Sequence, residues 1–302
     1  MDQQVSVEEF LEQLLAIAHP LAPFEMPLLD AHGASLANDI YVGDRVVMPV
    51  GSRIRSTHIG LAASIGLNHL PTRPHPRVVV ISAGDDLVEP GAPLGDLEDE
   101  YETNSWMLTT AVKEAGATAY RVHSIPESRE QIKRIVEDQL VRADLIVISG
   151  ESKDESFEMI SEVLRELGEI TTVHPAMGNS GRFNFGLIGP DLTPVVTLPG
   201  EPVNAYLALE LFIRPMIRTM LGAPNIFRNR IKVELLDGVT SPAGERSFIR
   251  VKVESSKARV LAKQESLESL VEANGLLLMN ESTTSYKAGD LVDVMILERS
   301  NN

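Results

Sequence analysis

Arg77-Val-Val-Val-Ile-Ser82 and Asp144-Leu-Ile-Val-Ile-Ser149 decide the fold of this chain. Both are short, continuously apolar and rich in β-branched residues, the pattern of strands buried on both faces. Thr193-Pro-Val-Val-Thr-Leu198 is a third, weaker copy. Around them the apolar spacing lengthens to that of helices over residues 105–115, 128–141, 156–167 and 203–221. Strand and helix in alternation imply βαβ units and a doubly wound α/β sheet. Gly116, Gly168 and Gly222 each follow a helical pattern, where a left-handed cap is expected.

The flanks differ in character. Ser6 and Glu9 read as a capping box opening a helix whose apolar face is Phe10, Leu11, Leu14, Leu15 and Ala18. Further helices are expected over 29–38 and 56–65, with a small hairpin over 42–52 between them. After Gly222 the pattern changes to short strands around 230–235, 247–253, 259–262, 275–279 and 290–297, the signature of an all-β barrel or sandwich. The expected division is an N-terminal helical and hairpin segment over 1–67, an α/β domain over 68–222 and a β domain over 223–302.

With 302 residues the chain exceeds what one core usually supports. No apolar run approaches the ~18 residues of a membrane-spanning helix, and no basic stretch precedes an apolar one near Met1, so the expectation is a cytoplasmic protein without membrane insertion. The absence of cysteine excludes disulfides, thiolate catalysis and Cys-ligated metals. A net charge of −16 argues against nucleic-acid binding, which needs a basic footprint.

Four turns carry the functional signal: Gly84-Asp85-Asp86, Thr103-Asn104-Ser105, Gly150-Glu151-Ser152 and Gly200-Glu201-Pro202. Each lies where a strand run ends or a helix begins, and in an open sheet such places converge on a crevice outside the carboxyl ends of the strands. Taken singly, Gly84–Asp86 also reads as a plain turn, Thr103 or Asn104 as a helix N-cap, and Glu151, Asp154 and Glu155 as a solvated helix start. His58, His123 and His174 have no metal-ligand spacing, and Trp106 is expected to pack beneath the first crossover helix. The order of the turns gives them their weight.

That order resembles the molybdopterin molybdotransferase family of the MoeA/gephyrin type. The family's Ser-Thr-Gly-Asp-Glu-Leu corresponds to Ser82-Ala83-Gly84-Asp85-Asp86-Leu87, and its Tyr-Asp-Thr/Ser-Asn-Ser to Tyr101-Glu102-Thr103-Asn104-Ser105. Its Leu-Pro-Gly-Asn-Pro-Val-Ser corresponds to Leu198-Pro199-Gly200-Glu201-Pro202-Val203-Asn204. Arg246-Ser-Phe-Ile-Arg-Val and Ala273-Asn-Gly-Leu are similar to its C-terminal β domain. The resemblance covers nearly the whole chain and implies a molybdopterin-binding sheet, insertion of molybdate into adenylylated molybdopterin with Mg²⁺, and a homodimer. It implies catalytic roles for Asp85 and Glu102, and Mg²⁺ on Asp85, Asp86 and Glu102. It implies pterin binding by Gly84, Asp86, Thr103, Asn104, Ser105, Gly150, Ser152, Arg182, Pro199 and Gly200.

The departures are equally specific. A domain that family members insert after the opening helices is absent, and Leu36-Ala-Asn-Asp39-Ile40 runs almost directly into the hairpin. The family's Ser-Gly-Gly-Val-Ser-Val-Gly loop becomes Ser149-Gly150-Glu151-Ser152-Lys153-Asp154-Glu155, with a carboxylate in place of the second glycine. Its Met-Lys-Pro-Gly-Lys-Pro becomes Met177-Gly178-Asn179-Ser180-Gly181-Arg182, losing both lysines. The crevice is thus expected to be acidic, where a pyrophosphate ligand needs helix N-termini, basic side chains or Mg²⁺. A second expectation follows, that of an inactive paralogue used as a gephyrin-like scaffold for a protein partner.

Overall fold

The computed structural model describes residues 3–97, 99–125, 128–150, 154–178 and 181–297. The chain opens with β1 (Gln3–Val5) and α1 (Val7–Ile17). Ser6 caps α1, its hydroxyl accepting the Glu9 N–H at 3.1 Å. The buried face of α1 presents Phe10 and Leu14. Phe10 sits in an aromatic cluster, with ring centroids 5.1 Å from Phe183, 5.5 Å from Phe185 and 4.7 Å from Phe212.

The expected helix over 29–38 is not formed. Gly33 takes a left-handed conformation (φ 86°), and its N–H goes to Ile54 O at 2.8 Å instead of to a helical carbonyl. Turns lead into a two-residue strand, Ser35–Leu36, in a three-stranded sheet with Phe24–Pro27 and His69–Arg73. Next come the hairpin Ile40–Val42/Arg45–Met48 and α2 (Ser56–Ser64). Leu36, Met48, Ile54 and Leu70 make a small core for this segment.

The central sheet is built from β2 (Arg77–Ala83), β3 (Thr118–Ile125), β4 (Leu145–Ser149), β5 (Gly168–Pro175), β6 (Phe183–Ile188) and β7 (Thr193–Leu198). With β1 it forms seven strands in the order β1-β5-β6-β7-β4-β2-β3. Only β6 runs antiparallel to its neighbours among the described strands, because the short β5–β6 connection returns the chain without a crossover. Crossovers are α3 (Asn104–Ala115), α4 (Arg129–Leu140) and α5 (Asp154–Leu167).

Gly116 and Gly222 cap their helices in the left-handed region, as expected. Gly168 does not. It starts β5, where an added Cβ would lie 2.1 Å from Leu187 O, so the glycine there serves close approach of two strands.

The long helix expected over 203–221 divides into α6 (Pro202–Ala208), a wide π turn (Leu209–Ile213) and α7 (Arg214–Met220). Pro215 has no N–H to donate four residues back, and the wide turn falls just before it. Glu210, inside that turn, is buried and paired with Arg228 at 2.8 Å.

The C-terminal strands β8 (Arg230–Leu235), β9 (Ser247–Glu254), β10 (Lys257–Val260), β11 (Gly275–Met279) and β12 (Leu291–Ile296) close a barrel in the order β8-β10-β9-β11-β12. A short α8 (Leu267–Glu272) precedes β11. Phe248, Leu270, Leu276 and Leu278 join the same apolar core as Phe10 and Phe212, so barrel and sheet are packed as one body.

Phe10→Ala empties the centre of that cluster and is expected to cost about 3–5 kcal/mol. Urea denaturation checks it: the midpoint falls with an unchanged slope, whereas a loss under about 1 kcal/mol would mean that α1 is not anchored there.

Candidate functional site

β7, β4 and β2 are adjacent and in register, with Ser149 opposite both Ser82 and Leu198. Their carboxyl ends therefore release Gly84, Gly150 and Pro199 in one row. The chain leaves β2 toward the sheet edge at β3 and then crosses back to β4, so this row flanks a switch point of the sheet, where open α/β sheets bind ligands.

One carboxamide joins the turns. Asn104, at the head of α3, donates Nδ2–H to Ser149 Oγ at 2.8 Å and to Gly200 O at 2.6 Å. Ser149 Oγ in turn donates to Pro199 O at 3.3 Å. Gly200 O is only an acceptor, which fixes the orientation of the amide. Asn104 is 7% exposed, and its Oδ1 is buried with no hydrogen-bond partner among the described residues.

Glu102 is fully buried beside it. Its carboxylate accepts the Ser105 N–H at 2.7 Å and the Ser105 hydroxyl at 2.5 Å, with Arg121 Nη2 at 3.2 Å. A buried carboxylate is stable only when paired and hydrogen-bonded, and all three partners are needed here. Gly84 is buried, Asp86 and Thr103 are half-buried, and Asp85 is exposed.

The loop carrying Asp85 and Asp86 is tied back by a short parallel pairing of Leu87–Val88 with Glu100–Tyr101. Within it Asp99 accepts the N–H groups of Asp96 at 2.9 Å and Gly95 at 2.6 Å, which holds its carboxyl below the usual aspartate value. Gly150 is half-buried; Ser152, Glu151 and Lys153 lie outside the described residues, as does the side chain of Asp154.

Arg182 stacks on Phe157, 4.3 Å from the ring centroid, and pairs with Glu158 at 2.5 Å. It is drawn to α5 instead of standing as a lone counter-charge for the crevice. His58 accepts the Arg55 N–H at 3.3 Å and so caps α2, and His174 is exposed on β5. Trp106 does not pack beneath α3; it is 51% exposed, with the Arg121 guanidinium 4.1 Å from its ring centroid. Among the described residues no group of three Asp, Glu or His side chains is placed to hold a metal ion.

Three contributors were not anticipated from the sequence. Ser149 reads as the end of an apolar run, and Arg121 as one polar residue in a strand whose alternation went unrecognised. Arg250 lies within a quoted motif, but nothing local reveals its burial. Arg250 is 5% exposed, its guanidinium donates Nε–H to Ser269 Oγ at 3.3 Å, and burial pushes its pKa down. With Arg246, Glu201, Asn204 and Gly178 it lines a cavity of about 260 Å³ between α6 and the barrel, beginning one residue beyond Gly200.

Residues 79–219 match the family model described as a probable molybdopterin binding domain, and residues 232–297 match the MoeA C-terminal region, domain IV. Two curated Mycobacterium tuberculosis proteins are similar. Molybdopterin molybdenumtransferase 1 is 31% identical over 271 residues, 86% of this chain and 63% of that protein. Molybdopterin molybdenumtransferase 2 is 34% identical over 260 residues, 82% of this chain and 63% of that protein. The molybdopterin biosynthesis MoeA protein of Pyrococcus horikoshii shares the fold, with a TM-score of 0.83 at 20% identity over 98% of this chain and 100% of that one.

The chain belongs to the MoeA-type family. It spans about 63% of the length of the curated relatives it matches. The α/β sheet and the all-β barrel fall on the two matched regions, so the expected fold class holds for this MoeA-type chain. All four turns of the sequence reading lie within the first of them.

Asn104→Asp replaces the Nδ2 donor by a second acceptor facing Gly200 O, so it is expected to destabilise as much as Asn104→Ala, by about 1–3 kcal/mol. Equal denaturation midpoints for Asn104→Asp and the parent would contradict the donor assignment.

The Asp99 carboxyl is depressed in the folded loop, so its contribution is present above the ordinary aspartate pKa of about 3.9 and is lost as pH falls through the lowered value. Hydrogen exchange at the Gly95 and Asp96 amides should accelerate over that acid range in the parent protein. Asp99→Asn should remove the extra step.

Proposed function

We propose that this chain is a molybdenum cofactor biosynthesis protein and that the crevice at the carboxyl ends of β2, β4 and β7 takes molybdopterin or its adenylylated form. One observation carries the reading. Inside the region that matches a molybdopterin binding domain, three turns of the motif set are joined by an amide whose Oδ1 is buried without a partner among the described residues. An unmet buried acceptor costs free energy that a ligand N–H removes, and the ring of a pterin carries such donors. Gly200 borders the same amide, with Ser105 and the half-buried Thr103 at the head of α3.

Mg²⁺ fits only part of its expected set. Glu102 has its oxygens committed to Ser105 and Arg121, so it does not serve as a ligand in this arrangement. Asp85 and Asp86 are the carboxylates at the crevice mouth, and Mg²⁺ typically binds through one or two carboxylates together with phosphate of the ligand. When bound, Mg²⁺ supplies charge neutralisation between those carboxylates and the phosphate. Arg246, paired with Glu8 and Glu281, and Arg250 line the cavity one residue past Gly200 and bring positive charge there.

The finer reading is a transferase that inserts molybdate into adenylylated molybdopterin, acting as a homodimer in the cytoplasm. No helix among the described residues is long and apolar enough to cross a membrane. The second reading is a protein that keeps the fold as a scaffold without chemistry. The pairing of Arg182 with Glu158 favours it.

Calorimetric titration of the purified protein with molybdopterin, with and without Mg²⁺, separates the two. The first reading predicts binding near a Kd of about 1 μM, or ~8 kcal/mol, weakened about tenfold by Asp85→Asn only when Mg²⁺ is present. Absence of binding by a folded sample would leave the scaffold reading alone.

A further inference from the structure

Arg121, on the edge strand β3, is the most heavily engaged cation near the crevice. Its side chain is 13% exposed. Nε–H donates to Ser105 Oγ at 2.5 Å, Nη2 reaches Glu102 Oε2 at 3.2 Å and also pairs with Glu89, and the guanidinium plane covers the Trp106 ring. These contacts join three pieces of chain: the loop after β2 through Glu89, the approach to α3 through Glu102, two residues before the helix, and the first turn of α3 through Ser105 and Trp106. Glu102 adds its own bond to the Ser105 N–H. The next residue toward the crevice is Asn104.

We infer that Arg121 is a positioning residue for the ligand crevice, and that Glu102 serves this device and not a metal ion. The guanidinium balances the buried Glu102 carboxylate and sets the first turn of α3, so that the Asn104 amide meets Ser149 and Gly200 together. A planar fork is required. Three partners on two edges and an aromatic ring on one face match guanidinium geometry, and the compact ammonium of lysine satisfies charge but not this arrangement. The identity of the ligand rests on the reading proposed above; the positioning role does not.

The test compares the full-length parent with Arg121→Met, Arg121→Lys and Glu102→Gln by three measurements. Hydrogen exchange at the amides of residues 104–107 reads the first turn of α3 directly. Emission of Trp106, the single tryptophan, reads the stacked guanidinium. Titration with molybdopterin across a range of Mg²⁺ concentrations reads the crevice.

Loss of a charged hydrogen bond corresponds to roughly tenfold or more. Arg121→Met is therefore expected to speed exchange at the Ser105 amide about tenfold, to shift Trp106 emission and to weaken molybdopterin binding about tenfold, with the Mg²⁺ dependence unchanged. Arg121→Lys should restore global stability but not the Ser105 exchange rate or the binding. A merely stabilising ion pair predicts the opposite: exchange rises equally at the slowest amides of β2 and β4, and Lys restores every readout.

Unchanged exchange at 104–107 in Arg121→Met overturns the inference, as does loss of Mg²⁺ dependence in Glu102→Gln. Should Arg121→Met fail to fold, Arg121→Lys and Glu102→Gln decide by the same exchange signal. If the parent protein itself ignores molybdopterin, the functional reading fails while the exchange data still settle the role of Arg121.

Discussion

The crevice depends on a single carboxamide. Asn104 connects the head of α3 to the ends of β4 and β7 through two short bonds, from a position almost closed to solvent. The sheet makes this possible, because in-register parallel strands end level with one another and release their loops as a row. The sheet in turn depends on apolar strands buried on both faces, with Phe10, Phe183 and Phe212 on one side and Ile132, Ile160 and Leu164 on the other. Secondary structure thus places the loops, and one side chain fixes their mutual distance. The cost of this arrangement is a buried acceptor, Asn104 Oδ1, that no described residue satisfies.

Charge is handled by segregation. The chain is strongly acidic, and its crevice loops carry Asp85, Asp86 and Glu201. Among the described residues, each nearby arginine has a defined place. Arg121 is held by Glu89 and Glu102, Arg182 by Glu158, and Arg246 by Glu8 and Glu281 at the seam with the barrel. Arg250 is the exception, buried with a serine hydroxyl as its hydrogen-bond acceptor and opening on the seam cavity. At about 4 Å and an effective dielectric near 20, a like-charge contact is worth roughly 4 kcal/mol, so the location of these pairs decides which part of the site tolerates an anion.

Much of the fold was legible in the sequence because β2 and β4 carry continuous apolar runs, with β7 a weaker copy, and a doubly covered sheet explains such runs. The edge strand β3 and the β5–β6 hairpin were not read, since Tyr120, Arg121 and Thr172 interrupt the apolar pattern where one face meets solvent or a buried polar network. The helix expected over 29–38 failed at Gly33, whose backbone donor is claimed by Ile54. For the site, the turns at Gly84, Asn104 and Gly200 carried their own signal, as glycine and helix-start residues directly after strands. The roles of Glu102 and Arg121 did not, because a carboxylate that binds metal and one that locks a helix start look identical until its partners are known. The barrel's Arg250 reaches the seam only through tertiary packing that no local pattern encodes.

The central claim is that the row of loops around Asn104 is a ligand crevice. A crystal structure of the protein soaked with molybdopterin and Mg²⁺ tests it most directly. The account predicts ligand density against the Gly84–Asp86 and Gly200 turns, with a ring N–H within hydrogen-bond distance of Asn104 Oδ1. Well-ordered density elsewhere on the molecule, with the Asn104 region unchanged, would contradict it.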